Sequence, residues 1–101
     1  MAFDMRAGDR RENIGHHEEF LFALAQENES HYPELLAVWN AFYSAPRISS
    51  ADAGALVHEL IDLLSSNGGL SNKPLANTVV RLLPFFSAAH RSQQEIRCSS
   101  D

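Results

Sequence analysis

The strongest local signal in the sequence is residues 49–69, SSADAGALVHELIDLLSSNGG. Apolar side chains recur in it at helical spacing, at Ala53, Leu56, Val57, Leu60, Ile61 and Leu64. Ser49 and Asp52 have the spacing of a capping box with Asp in the usual Glu position, and Gly68 and Gly69 can adopt the left-handed conformation that ends a helix. The segment therefore predicts one secure amphipathic helix and favours an all-α fold class.

Three further helices are predicted on either side of this segment. A first helix begins near Gly15 and ends before Pro33, which fits the first position of a second helix. The second helix has a stripe of large side chains, Leu35, Leu36, Trp39, Phe42 and Tyr43. The last helix begins at Pro74, and Pro84 predicts a kink or break within it. We therefore expect a small bundle of about four helices.

The first seven residues show a different period. Phe3, Met5 and Ala7 alternate with Asp4 and Arg6, which predicts a short strand. Because no second segment alternates in this way, we expect either a hydrated arm or a strand that pairs with another copy or another protein. The expected organisation is an N-terminal arm over residues 1–12, a helical domain over residues 13–97 and a disordered tail over residues 98–101.

Length, cysteine content and charge limit the class of protein. The 101 residues suffice for one domain, and the single Cys98 cannot form an internal disulfide. No apolar run has the length of a signal peptide or membrane span, so we expect a cytoplasmic protein with no membrane contact. Residues 12–62 contain nine acidic residues and one basic residue, Arg47. Such a field repels phosphate backbones, so a basic protein partner is expected and nucleic acid is not; a merely solvated acidic surface is the alternative.

Catalytic and metal motifs are weak. The chain has no Gly-x-Ser-x-Gly elbow and no Glu-x-x-His motif, and Gly68-Gly69 lacks the spacing of a phosphate-binding loop. His58 and Asp62 have a spacing that can converge on a metal, and His16 and His17 precede two glutamates. Exposed pairs of this kind are usually surface pairs, so we expect no enzyme, no metal and no cofactor, and whether these four residues bind anything stays open.

Two apolar runs exceed what one helical face can bury. Phe20-Leu21-Phe22 and Leu82-Leu83-Pro84-Phe85-Phe86 are apolar on nearly every side of a helix. Either the last helix is central and packed by the other three, or Phe22 and Phe85 contribute to an exposed patch that another chain covers. The second alternative favours a protein-binding function.

The leading hypothesis is an acidic interaction module, such as an inhibitor, that binds a basic protein. Its predicted partner-binding residues are Glu18, Glu19, Phe22, Glu27, Glu29, Tyr32 and Glu34. The segments Glu18-Glu19-Phe20-Leu21 and His31-Tyr32-Pro33 resemble pieces of small acidic helical immunity proteins that neutralise nuclease toxins, and this resemblance implies a helical inhibitor. One alternative is a structural protein that forms a homodimer through the Phe3/Met5 strand or a Phe85/Phe86 surface. The other is a metal-binding or enzymatic bundle centred on His16, His17, His58 and Asp62.

Overall fold

The structure, a computed structural model, describes residues 2–100 and contains a β-sheet beside its helices. The four helices are α1 (Phe20–Gln26), α2 (Pro33–Asn40), α3 (Ser50–Ser66) and α4 (Lys73–Arg91). The four strands are β1 (Ala2–Ala7), β2 (Arg10–Gly15), β3 (Arg47–Ile48) and β4 (Ile96–Ser100). The predicted all-α bundle is therefore wrong: the chain is a mixed α/β protein with a four-stranded antiparallel sheet.

The sheet joins the two ends of the described chain. Its strand order is β2-β1-β4-β3, and every neighbouring pair is antiparallel. Gly8, at φ +59°, and Asp9 form the two-residue turn between β1 and β2, where glycine at the first position suits the right-handed twist of the strands. The predicted arm and tail are thus corrected: both belong to the sheet of the same domain, except for Met1 and Asp101, which lie outside the described residues.

Four helices lie in the predicted regions, but α1 begins at Phe20 and not near Gly15, and α2 ends at Asn40, before Phe42 and Tyr43. Two further details of α3 and α4 also need correction. The Ser49 hydroxyl accepts the Asp52 N–H at 3.1 Å, which confirms the cap of α3. Within α3, however, Ile61 is 50 % exposed and Leu63 is fully buried, so the buried stripe is rotated from the predicted one. α4 also continues through the exposed Pro84 to Arg91 without the predicted break, although this proline has no N–H to donate within the helix.

The core lies between the helices and the inner face of the sheet. Strand side chains on that face include Phe3 and Ile96, both fully buried. Phe3 stacks on Phe42 with ring centroids 4.4 Å apart, and Phe22 stacks on Trp39 at 5.0 Å. The sheet supplies the second layer that the all-round apolar helices require. Phe22 and Phe85 are consequently 1 % and 4 % exposed, and they form no surface patch.

A Schellman motif at Gln93 ends α4 and sends the chain into β4. The Gln94 N–H donates to the Ala89 carbonyl at 2.9 Å, and the Gln93 N–H donates to the His90 carbonyl at 3.3 Å. Gln93 itself has a φ of +57°, in the left-handed region that favours glycine. This turn explains why the polar sequence after Arg91 forms a strand instead of extending the helix.

Replacing Gln93 with glycine is expected to stabilise the protein. Glycine relieves the steric cost of the left-handed conformation, which gives a gain of about 0.5–1 kcal/mol in the free energy of unfolding. Urea denaturation followed by circular dichroism measures the gain. Gln93→Ala is the matched control: it removes the same side chain but keeps the Cβ, so it should change little. A glycine variant no more stable than the alanine variant would contradict this account.

Candidate functional site

Two of the predicted partner-binding residues, Phe22 and Tyr32, are core residues. Phe22 contacts Trp39, and Tyr32 is 3 % exposed. The Tyr32 hydroxyl donates to the Asp62 carboxylate at 2.9 Å. Burial raises the pKa of Tyr32, and the hydrogen bond to Asp62 raises it further. These side chains hold α1, α2 and α3 together and are not exposed anchors.

Glu18 is also committed to internal contacts. Its carboxylate accepts the Gly15 N–H at 2.9 Å and the Thr78 hydroxyl at 3.0 Å, and it pairs with the Arg81 guanidinium at 2.6 Å. Burial alone would raise the pKa of Glu18, but the hydrogen bonds from Gly15, Arg81 and Thr78 and the Arg81 charge outweigh burial and lower it. Glu18 therefore ties the turn after β2 to α4.

The other predicted glutamates lie along the helical layer. Glu27 and Glu29 are exposed, and Glu19 contacts His16 at 3.2 Å. Glu34 lies at the start of α2, where the N–H groups of Glu34 and Leu35 donate to the buried Glu59 carboxylate at 3.0 and 2.9 Å. Burial raises the pKa of Glu34, as do the negative charges of Asp52 and Glu59. The seven predicted residues therefore do not gather into one exposed surface.

The candidate metal ligands and the cysteine form no reactive centre in the described part of the chain. Across residues 2–100, no group of three or more His, Cys, Asp or Glu side chains is placed to hold a metal ion. His16, His17 and His58 are exposed, and Asp62 is the acceptor for Tyr32. Burial raises the pKa of the Cys98 thiol to about 12, so the reactive thiolate is scarce at neutral pH.

The most organised polar surface is the outer face of the sheet, which no helix covers. Alternation along the strands sends apolar side chains inward and polar ones outward. The outward set, named here the arginine face, consists of Asp4, Arg6, Arg11, Asn13, Arg47, Arg97 and Ser99. Sequence reasoning missed this face because its members come from residues 4–13, 47 and 97–99, which only strand pairing brings together.

Four arginines cross this face in a single line, named here the arginine row. Arg6 is paired with Arg11 on one side and with Arg97 on the other, and Arg97 is paired with Arg47. Residues paired across antiparallel strands have Cα atoms about 4.5–5.5 Å apart, so the row spans roughly 15 Å. All four side chains are exposed. Like charges placed directly opposite one another destabilise a sheet.

The arginine row is largely without internal counter-ions. Among residues 2–100, Arg47 is the one member with a carboxylate oxygen within 4 Å, that of Glu95 at 3.8 Å, and both side chains of this pair are well exposed. A second row beside the first contains Asn13, Asp4 and Ser99, paired across β2, β1 and β4. All members of the two rows except Arg47 line a surface depression of about 540 Å³, which lies within the usual range for ligand sites.

Side chains bond to three backbone groups on the outer edge of β2. The Asn13 carbonyl accepts from Arg81 at 2.8 Å, the Asn13 N–H donates to Glu12 at 3.1 Å, and the Gly15 N–H donates to Glu18. β1 lies inside the sheet with both edges paired. The structure thus corrects the predicted pairing of the Phe3/Met5 strand with another copy, and Phe85 and Phe86 are buried instead of forming a surface.

No protein-family model, curated protein or solved structure matches this chain. Within residues 2–100, no helix has the length and apolar character needed to cross a membrane.

Proposed function

We propose that the chain is a binding module that takes an anionic partner on its arginine face. The observation that carries this proposal is the arginine row, four guanidinium groups on four adjacent strands with one weak internal ion pair among them. Guanidinium groups bind carboxylates and phosphates through two parallel hydrogen bonds, so an unpaired row of them suits an extended anion.

The energetics of the row support a binding role. Cross-strand pairs of like charge lower the stability of the folded protein. The neighbouring row of the same face consists of Asn13, Asp4 and Ser99, so an exposed position on this sheet does not need arginine in order to fold. A bound anion would offset the repulsion. A feature that costs stability in the free protein and is satisfied by a ligand is typical of functional surfaces.

We further propose binding without catalysis, in a reducing cytoplasm. The arginine face has guanidinium, amide, hydroxyl and carboxylate groups but no histidine among its members. Cys98 lies on the opposite, buried side of β4 with a raised pKa. These groups bind and orient anions, but they lack a base near neutral pH. The single buried thiol suits the cytoplasm.

Titration with tripolyphosphate, followed by the amide resonances of the isotope-labelled protein, tests the proposal. We expect concentration-dependent shifts confined to the strands, at β1, the start of β2, β3 and β4, around Arg6, Arg11, Arg47 and Arg97. The net charge of −5 disfavours unspecific binding of a polyanion, so a localised response is informative. Shifts centred on the helical layer, or none at all, would overturn the proposal.

Replacing Arg6, at the centre of the row, is expected to raise stability and to weaken anion binding. Arg6→Gln removes two cross-strand repulsions and should raise the free energy of unfolding by about 0.3–1 kcal/mol, while weakening tripolyphosphate binding roughly threefold to tenfold. Urea denaturation and the same titration measure the two effects. The control Arg91→Gln removes an exposed arginine at the end of α4, where a positive charge is favourable, so it should lower stability slightly and leave binding unchanged. Equal responses of the two variants would contradict the prediction.

A second candidate function keeps the predicted basic protein partner. Its specific observation is the position of Glu34 at the start of α2, where the Glu59 carboxylate accepts the Glu34 and Leu35 N–H groups at 3.0 and 2.9 Å. Burial raises the pKa of Glu34, and the Asp52 and Glu59 charges raise it further. A basic partner would relieve that repulsion and use the nearby Asp62 and Glu29 for electrostatic steering. Association with a basic protein that slows steeply with added salt, and slows further in Glu34→Gln, would support this second candidate.

A further inference from the structure

We infer that the anionic partner of the arginine face is an acidic polypeptide segment, not a nucleic acid. This inference rests on the proposed function and adds the chemistry of the partner. Four features of the face distinguish the two classes: its length, the charge around it, the absence of aromatic members and the nature of the second row.

The arginine row is short, and the rest of the molecule is acidic. Since the whole chain carries −5 and the four arginines with Asp4 carry +3, the rest of the molecule carries −8. A nucleic acid longer than the row of roughly 15 Å gains no further arginine contacts on this face, and the net negative charge of the rest of the molecule disfavours its approach. A short acidic segment can end where the arginines end.

The arginine face offers nothing for bases to stack on. Proteins that bind single-stranded nucleic acid combine positive charge with aromatic side chains that stack on successive bases. The seven members of the face contain no aromatic residue. Phe3, the aromatic residue of β1, points to the opposite side and is fully buried.

The second row gives the strongest distinction between a polypeptide partner and a nucleic acid. Asp4 lies between Asn13 and Ser99, and its carboxylate has no basic group within 4 Å in the described chain. A carboxylate needs a hydrogen-bond donor, and a phosphodiester backbone has only acceptors. A polypeptide supplies both kinds of group: acidic side chains for the arginine row, and N–H or hydroxyl donors for Asp4. A polypeptide backbone therefore satisfies Asp4 directly, whereas a nucleic acid can reach it only with base or sugar donors while its phosphates are repelled by the carboxylate.

Fluorescence anisotropy with two labelled probes of equal charge tests the inference. One probe is a peptide of alternating glutamate and serine, and the other is an oligothymidylate. We expect the wild-type protein to bind the peptide at least roughly tenfold more tightly at the same salt concentration, a difference of about 1.4 kcal/mol. Equal binding, or tighter binding of the oligothymidylate, overturns the inference but leaves an anion-binding face.

Two variants complete the design. Asp4→Asn should lower the ratio of peptide affinity to oligothymidylate affinity several-fold, because it replaces one acceptor oxygen for peptide N–H groups with an N–H donor that suits phosphates, while the loss of charge favours both probes alike. An unchanged ratio overturns the inference. The double variant Arg6→Gln/Arg97→Gln should abolish binding of the peptide. If neither probe binds wild type better than this double variant, the proposed function itself fails, and this outcome is distinct from failure of the inference alone.

Discussion

Replacing Phe22 with alanine is expected to lower the free energy of unfolding by about 3–5 kcal/mol. The side chain is 1 % exposed, stacks on Trp39 at 5.0 Å and meets the edge of Phe42 at 5.8 Å. Its loss leaves a cavity between α1 and α2, and it also weakens the support of Phe42 beneath Phe3 of the sheet. Chemical denaturation measures the change. A loss this large in a small domain is a large fraction of the total stability.

Tyr43→Ala is the matched control for Phe22→Ala. Tyr43 is an aromatic residue of the same region, but 66 % of it is exposed, so its removal should cost less than about 1 kcal/mol. This pair of variants also distinguishes the core position of Phe22 in the structure from the sequence-based hypothesis that Phe22 is an exposed partner-binding residue. An exposed partner anchor at Phe22 would give a stable variant that has lost only binding. A Phe22→Ala variant as stable as Tyr43→Ala would contradict the core role.

The helices could be predicted because their signals are local. α3 has its cap, its apolar repeat and its glycine stop within residues 49–69, and Pro33 and Pro74 mark the starts of two others. The predicted buried stripe of α3 was wrong at Ile61 because Ile61, Leu63 and Leu64 are all apolar, so the sequence pattern alone does not fix the rotation of the helix. Only the position of the neighbouring helices decides that Leu63 is buried and Ile61 is not.

The sheet could not be predicted from local signals in the sequence. β2 has the sequence RRENIG, in which Ile14 alone is a large buried side chain, and β3 has two residues. Such segments become strands through pairing with β1 and β4, which are distant in the chain. One sequence feature did point to a second layer. Phe20-Leu21-Phe22 and the apolar run around Pro84 could not all be buried by a thin bundle, and the sheet covers them.

The candidate site was hidden for the same reason. The arginines of the row are separated by up to about ninety residues in sequence, and the net charge of −5 masks a locally positive face. The alternation of Asp4 and Arg6 with apolar residues was visible, but a single strand does not reveal its neighbours. The sequence predicts an acidic binding surface because most of the acidic residues lie within one continuous half of the chain. In the structure, however, Glu18 and Glu59 are buried hydrogen-bond acceptors.

Arg81→Met is expected to destabilise the protein and to open the edge of β2. Arg81 pairs with Glu12 and Glu18 and donates to the Asn13 carbonyl, so one side chain of α4 satisfies three groups on and beside the edge strand. Methionine keeps the packing of the stem but leaves Glu18 with fewer donors, which should cost about 2–3 kcal/mol for a pair that is only partly buried. The freed Asn13 carbonyl also exposes an unpaired strand edge. We therefore expect lower stability together with self-association that increases with protein concentration, measured by denaturation and light scattering.

The pH dependence of the stability loss in Arg81→Met shows whether the Glu18–Arg81 ion pair causes that loss. Because the pKa of Glu18 is lowered in the folded protein, its pairing stabilises the fold above the unfolded glutamate pKa of about 4.3 and is lost as the pH falls through the lower, folded value. The stability difference between wild type and Arg81→Met should thus be largest near neutral pH and shrink as the solution becomes more acidic than that unfolded value. Arg91→Met, at an exposed arginine of the same helix, should show neither the large loss nor this pH dependence. A difference that persists undiminished in strong acid would mean that packing of the Arg81 stem, and not its ion pairs, stabilises the β2 edge.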